Sequence, residues 1–157
     1  MTDFSIIGKP VPMVDGSGKV TGRGIYTDDM KMPGMLHARI FRSVHPHAKI
    51  LKLDISRAEQ MPGVMAVVTG KELSQKYGIL PVGHDETALA VDKVRYVGEG
   101  VVAIAATSPE AAEEAVQRIE IVYEPLPAYF DAFKAMDHPE VLIHEDKPDN
   151  IEREYHH

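Results

Sequence analysis

The chain has 157 residues, 44% hydrophobic and 26% charged, which suits one globular domain able to bury its own core. Its net charge of −7, with 17 scattered lysines and arginines and no basic run longer than a pair, excludes a nucleic-acid surface built on clustered cations. With no cysteine it can hold no disulfide, iron–sulfur cluster or thiolate zinc site.

The opening MTDFSIIGKPVP lacks the basic head and apolar core of a signal peptide. No apolar run approaches the roughly 18 residues of a membrane span. These features lead us to expect a cytoplasmic protein with neither membrane nor nucleic-acid partners. The chain stops at Tyr155-His156-His157, just after a charged run, so truncation of a longer chain is expected.

In chain order, residues 1–30 are rich in turn formers, among them Asp15-Gly16, Gly18, Gly22, Gly24 and Asp28-Asp29. They predict an extended arm with short strands, the best at Gly24 to Tyr26. Pro33-Gly34 marks a turn, and Met35 to Ser43 alternates as a strand does. After His45-Pro46-His47 the run KILKLDI alternates again, offering Ile50, Leu51 and Leu53 to a core. Ser56 and Glu59 have capping-box spacing for a short helix that ends at Pro62-Gly63. The continuous apolar run Val64 to Thr69 predicts a strand covered on both faces. Gly70 to Tyr77 predicts a helical turn or two, and residues 78–93 read mostly as loop.

From Val94 onward VRY, a Gly-Glu-Gly turn and VVAIAAT predict a hairpin-like strand pair. Ser108-Pro109 opens a helix, with Ser as N-cap and Pro at the first helical position. Ala112, Ala115, Val116 and Ile119 share its apolar face. Ile121 to Tyr123 continues as a strand ended by Pro125 and Pro127, and Asp131 to Met136 predicts a last short helix. The fold class is therefore α+β, a mixed sheet with helices packed on it.

The candidate sites are weak as chemistry. His45 and His47 flank Pro46 and could chelate a metal, but no third ligand has meaningful spacing. A bend at a sheet edge explains them better. DGSGKVTGRG fails the phosphate-loop pattern twice, at Met13 and Val20, and Val97-Gly98-Glu99-Gly100 is no dinucleotide fingerprint. Asp28-Asp29, His84-Asp85-Glu86 and His144-Glu145-Asp146 gather acid–base groups, yet polar loop clusters are usually solvated. Pro148 occupies the place a second zinc-binding histidine would need after His144-Glu145. Residue chemistry alone gives no catalytic residue, no cofactor-binding residue and no metal ligand.

Three ordered blocks carry a resemblance. They are DGSGKVTGRGIYTDD, then PGMLHARIFRSVHPHAKILKLDISRAEQMPGVMAVVTGKEL, then DETALAVDKVRYVGEGVVAIAATSPEAAEEAVQRIEIVYEPLPAYFDAFKAM. Together they resemble the a/b hammerhead domain at the N-terminus of the molybdopterin-binding large subunit of the xanthine dehydrogenase and aldehyde oxidase family. YGILPVGHDETALAVDKVRY and HEDKPDNIEREYHH further resemble a branch that removes a phenolic hydroxyl from an aromatic thioester.

The resemblance implies a single hammerhead domain over residues 1–157, with an arm to about residue 30 and a linker-like tail from about 138. It implies molybdopterin, iron–sulfur clusters and FAD in the parent enzyme, all on other domains or subunits, and a chain inactive by itself. The implied partners are the molybdopterin-binding domains and an iron–sulfur subunit. Arg42, Ser43, His45 and His47 are then candidate structural or interface residues. The alternative reading is a stand-alone α+β binding or interaction module with the same fold.

Overall fold

Eight short strands and four helices follow one another in a computed structural model that describes residues 4–78, 83–138, 140–154 and 156. The chain divides into two units, Met1–Met35 and Leu36–His157. In the first, the described residues hold helix α1 (Gly16–Val20) and a 3-10 turn at Thr27–Asp29. The strand expected at Gly24 to Tyr26 does not form. Instead Gly18 O accepts from the amides of Arg23 and Gly24, and Asp29 Oδ2 accepts from Tyr26 N, so local turn bonds consume these backbone groups.

In the second unit, β1 (His37–Arg42), β7 (Gly100–Ala106) and β3 (Val64–Thr69) form one antiparallel sheet with β7 central. β6 (Lys93–Val94), β2 (Ala48–Asp54) and β8 (Glu120–Pro125) form a second, with β2 central. A small pair joins β4 (Lys76–Tyr77) to β5 (Glu86–Thr87). The fold is the expected α+β class, with the strands divided between sheets.

The strand buried on both faces is β7. Val101, Val102, Ile104 and Ala106 on it are nearly inaccessible, whereas β3 is an edge strand with Met65 and Ala66 exposed. Apolar runs alone do not distinguish a central strand from an edge. Full burial of Val94, Val101, Val102 and Ile104 is worth about 1.5–3 kcal/mol each. Helix α3 (Pro109–Val116) covers β1 and β7 through Ala112 and Ala115, and Ser108 Oγ accepts from Ala111 N at 3.2 Å as its cap.

Further expectations are corrected. The strands around Gly98 are no hairpin: β6 pairs with β2 and β7 with β1 and β3, so the Gly-Glu-Gly turn steps between sheets. Leu51 and Met65 stand at irregularities in the β2–β8 and β3–β7 registers, and both face out, 60% and 63% exposed. Gly70 to Tyr77 makes a turn followed by β4 in place of helix. Helix α2 (Ser56–Glu59) has Ile55 at its N-cap and no capping box. Asp54 Oδ1 accepts from both Ser56 N and Ser56 Oγ, a competing local turn.

Gly63, at φ +86°, closes the turn after α2 in a conformation glycine tolerates best. Helix α4 (Ala132–Asp137) is capped by Asp131. The expected loop 78–93 contains β5 and starts β6, and its residues 79–82 lie outside those described, as do 139, 155 and 157 of the tail.

Candidate functional site

The segment Arg42 to His47 carries the chain from one three-stranded sheet to the other, since β1 ends at Arg42 and β2 begins at Ala48. Its polar groups are tied to the turn before β7. Arg42 Nη1 donates to Gly98 O at 2.8 Å, Ser43 N donates to Glu99 O at 2.9 Å, and Gly98 N donates back to Ser43 O at 2.8 Å. Buried Ser43 also makes two 3.0 Å bonds to the His45 backbone, with Oγ accepting from N and donating to O.

The two histidines have different tasks. His45 sits edge-on to Tyr123, with ring centroids 4.9 Å apart. His47 is only 3% exposed, and its Nδ1 lies 2.6 Å from Pro127 O. A carbonyl only accepts, so Nδ1 carries a proton and donates it to Pro127 O. Nε2 has no protein partner among the described residues, and neither has the buried hydroxyl of Tyr123. Burial raises the Tyr123 pKa above its ordinary 10.0. The two imidazoles therefore do not converge as a chelate.

His47 lines a pocket of about 200 Å³ together with Pro46, Tyr96, Val97 and Phe130. Phe130 is 88% exposed and Val97 62%, so the rim is apolar and open.

A larger cleft, about 890 Å³, lies between the β4–β5 pair, β6 and the C-terminal tail. Two buried or half-buried cations from β6 and the residues after it meet the tail there. Lys93 Nζ donates to Leu142 O at 2.8 Å and pairs with Glu145 Oε1 at 2.6 Å. Arg95 donates through Nε to Ile143 O at 2.9 Å and reaches Glu145 Oε2 at 3.4 Å. No local pattern singles out Lys93 or Arg95. Their partners come from a tail that looks like a linker, so only long-range contact reveals them. Burial alone would raise the Glu145 pKa, but the Lys93 hydrogen bond and both cations hold it below the ordinary 4.5.

Residues of two acidic clusters recognised in the sequence also meet at this cleft. Asp85, His144 and Asp146 each bring one potential ligand atom within 4.8 Å of the others. His144 Nδ1 is 3.8 Å from Asp85 Oδ2, and Lys147 Nζ is 3.9 Å from the same oxygen. Burial and the nearby Arg95 lower the His144 pKa from its ordinary 6.5 and favour the neutral ring. His84 and Glu86, the remainder of the first cluster, stay exposed. Asp28 and Asp29 lie in a 3-10 turn of the first unit, where Asp29 Oδ2 accepts from Tyr26 N.

A helix-backed β1–β7–β3 sheet linked to a β6–β2–β8 sheet by the segment 42–47, by the turn before β7 and through helices α2 and α3 defines a hammerhead-type α+β domain. A sequence profile for the aldehyde oxidase and xanthine dehydrogenase a/b hammerhead domain matches residues 21–127. The chain belongs to that family.

It is similar to the carbon monoxide dehydrogenase large chain of Afipia carboxidovorans, 39% identical, with 83% of this chain and 16% of that protein covered. It is also similar to the nicotinate dehydrogenase large molybdopterin subunit of Eubacterium barkeri, 36% identical, covering 92% of this chain and 34% of that protein. Among solved structures, the aldehyde oxidoreductase of Desulfovibrio desulfuricans matches with a TM-score of 0.80 and 30% identity, over 91% of this chain and 17% of that one. The chain thus spans between about a sixth and a third of these relatives' length. No helix among the described residues is long and apolar enough to cross a membrane.

Proposed function

We propose that the chain is the N-terminal structural domain of a molybdenum-cofactor oxidoreductase and packs against that enzyme's cofactor-binding domains without catalysing a step by itself. The supporting observation is its short coverage of much longer molybdopterin-subunit relatives, combined with an open apolar rim around the RSVHPHA segment. In this reading the 157 residues are one hammerhead domain with an N-terminal arm and a C-terminal connecting tail. Val44, Tyr96, Val97 and Phe130 meet the neighbouring domain, and Arg42, Ser43, His45 and His47 hold that face in shape.

The cleft is poorly suited to molybdopterin itself. A phosphate-bearing cofactor needs free cations and backbone donors, whereas two of the three cations lining the cleft, Lys93 and Arg95, are already bonded to Glu145 and tail carbonyls, leaving Lys76. Carboxylates of Asp85, Glu86, Asp92 and Asp146 line the same space. In this reading molybdopterin, iron–sulfur clusters and flavin sit on other domains and subunits of a cytoplasmic assembly. The finer assignment is the alpha subunit of 4-hydroxybenzoyl-CoA reductase, which rests on YGILPVGHDETALAVDKVRY and the HEDKPDNIEREYHH tail.

The test is complementation. The chain is mixed with separately expressed downstream segments of the large subunit and the iron–sulfur subunit. Molybdenum should co-purify with the complex and not with the chain alone, and the complex should dehydroxylate 4-hydroxybenzoyl-CoA. Stoichiometric molybdenum on the isolated chain, or failure to associate, overturns the structural-domain reading. Activity on xanthine or nicotinate in its place overturns only the finer assignment.

A further inference from the structure

We infer that the first unit is an apolar docking strap, and that its occupant is an apolar groove on the molybdopterin-binding part of the same subunit. The inference rests on the structural-domain reading above and adds a second contact, separate from the RSVHPHA face.

The strap has no core of its own. Every buried apolar residue, from Ala48 to Ala135, belongs to the second unit. Between Phe4 and Met32, by contrast, eleven large apolar side chains are more than half exposed, Val14, Val20 and Ile25 furthest of all. Single exposed apolar residues need no explanation, but such a run marks a surface that is covered in use. A segment that buries nothing has little to set against the entropy of ordering itself.

The strap nevertheless follows a set course. Lys9 N donates to Ile6 O at 3.1 Å, Gly16 N to Met13 O at 3.1 Å, Thr21 N to Ser17 O at 3.2 Å and Asp29 N to Tyr26 O at 3.0 Å. These bonds spend backbone groups in turns, so apolar side chains are what the strap offers a partner.

Its charge selects among partners. Residues 1–35 carry four Asp and four Lys or Arg, a net charge of zero. Segments that lie on anionic membranes carry an excess of Lys and Arg on a helical polar face. The strap has neither that excess nor a helix longer than the five residues of α1. A weakly charged apolar groove is its complement.

The relatives place that groove within the same subunit. The Desulfovibrio desulfuricans aldehyde oxidoreductase matches 91% of this chain within 17% of its own. The unmatched 9% of 157 residues is about 14, fewer than the strap contains, so part of the strap is retained inside a much longer chain.

The experiment mixes the 157-residue chain with separately expressed downstream segments of the large subunit and reads affinity by calorimetry. Val14→Asp/Val20→Asp and Ile25→Asp should each weaken association about tenfold or more. Their circular dichroism melts should match the unaltered chain, because the buried core lies in the second unit. Amides of residues 4–35 should exchange hydrogen more slowly in the complex than in the free chain. Unchanged affinity in both strap variants overturns the strap, and if Val97→Asp/Phe130→Asp then abolishes association, the packing face stands without it. Failure of the unaltered chain to associate overturns both readings. Co-sedimentation of the unaltered chain with phosphatidylserine vesicles assigns the strap to a membrane and overturns the inference. A dimer that the strap variants lose, seen by ultracentrifugation across concentrations, assigns it to a second copy and overturns the inference equally.

Discussion

Lys93 and Glu145 form an asymmetric pair: their charged atoms are 2.6 Å apart, yet the lysine side chain is 6% exposed and the glutamate 68%. Glutamate can exchange its partner for water, but the ammonium cannot. Removing Glu145 leaves a buried cation with the Leu142 carbonyl as its neutral acceptor. We expect Glu145→Ala to lower unfolding free energy by about 1.5–3 kcal/mol, the range for a hydrogen bond to a charged group. Lys93→Met should cost less, because it removes the group that needs compensation. Urea denaturation of both variants checks the order, and a larger loss in Lys93→Met would contradict it.

Tyr123 gives a prediction of the opposite kind. Its buried hydroxyl meets no hydrogen-bond geometry among the described residues, and the adjacent Ser43 hydroxyl, which favours the ionised tyrosine against burial, already donates to His45 O and accepts from His45 N. Replacing an unsatisfied polar group by an apolar one of the same shape is neutral or stabilising. Tyr123→Phe should therefore leave the isolated chain's stability unchanged or raise it by up to about 1 kcal/mol. A clear loss in thermal or chemical melts would show that the hydroxyl has a partner in solution.

Local patterns made much of this fold legible. Period-two alternation located β1 and β2, the prolines at 125 and 127 marked the end of β8, and Ser108-Pro109 located the start of α3 to the residue. Sheet membership was not legible, because VRYVGEGVVAIAAT reads as a hairpin until β6 and β7 are seen to pair with different strands. The same limit hid the cleft. His84-Asp85-Glu86 and His144-Glu145-Asp146 each look like a solvated loop, and nothing local tells that Asp85 meets His144. Lys93 within VDKVRY likewise gives no sign of burial, since its acceptors lie near residue 142.

Gly70 reports on close packing between chain segments. A Cβ there would stand 2.3 Å from the Ala90 carbonyl oxygen and 2.7 Å from its carbon, both backbone atoms that cannot rotate away. Gly70→Ala must therefore displace the segment leading into β6, costing about 1–3 kcal/mol as overpacking does. Unfolding curves for this variant should shift accordingly, and stability equal to the parent would mean that the two segments are not in contact.

Asp54 and Ser56 supply a pH-dependent prediction. Asp54 Oδ1 accepts from the Ser56 hydroxyl at 2.6 Å and from the Ser56 amide at 3.1 Å. The side-chain bond first, and then the backbone bond, lower the Asp54 pKa from its ordinary 3.8. A lowered carboxyl pKa means that folding favours the ionised form. This stabilisation is present above pH 3.8 and is lost as pH falls through the lowered folded-state value. Ser56→Ala removes the larger contribution and should move the Asp54 pKa up toward 3.8, leaving a smaller stability loss in acid. Carbon-13 NMR titration of the Asp54 carboxyl in both proteins measures the shift. An unchanged Asp54 pKa in Ser56→Ala would show that the hydroxyl does not hold the carboxylate, and that the turn entering α2 rests on the backbone amide alone.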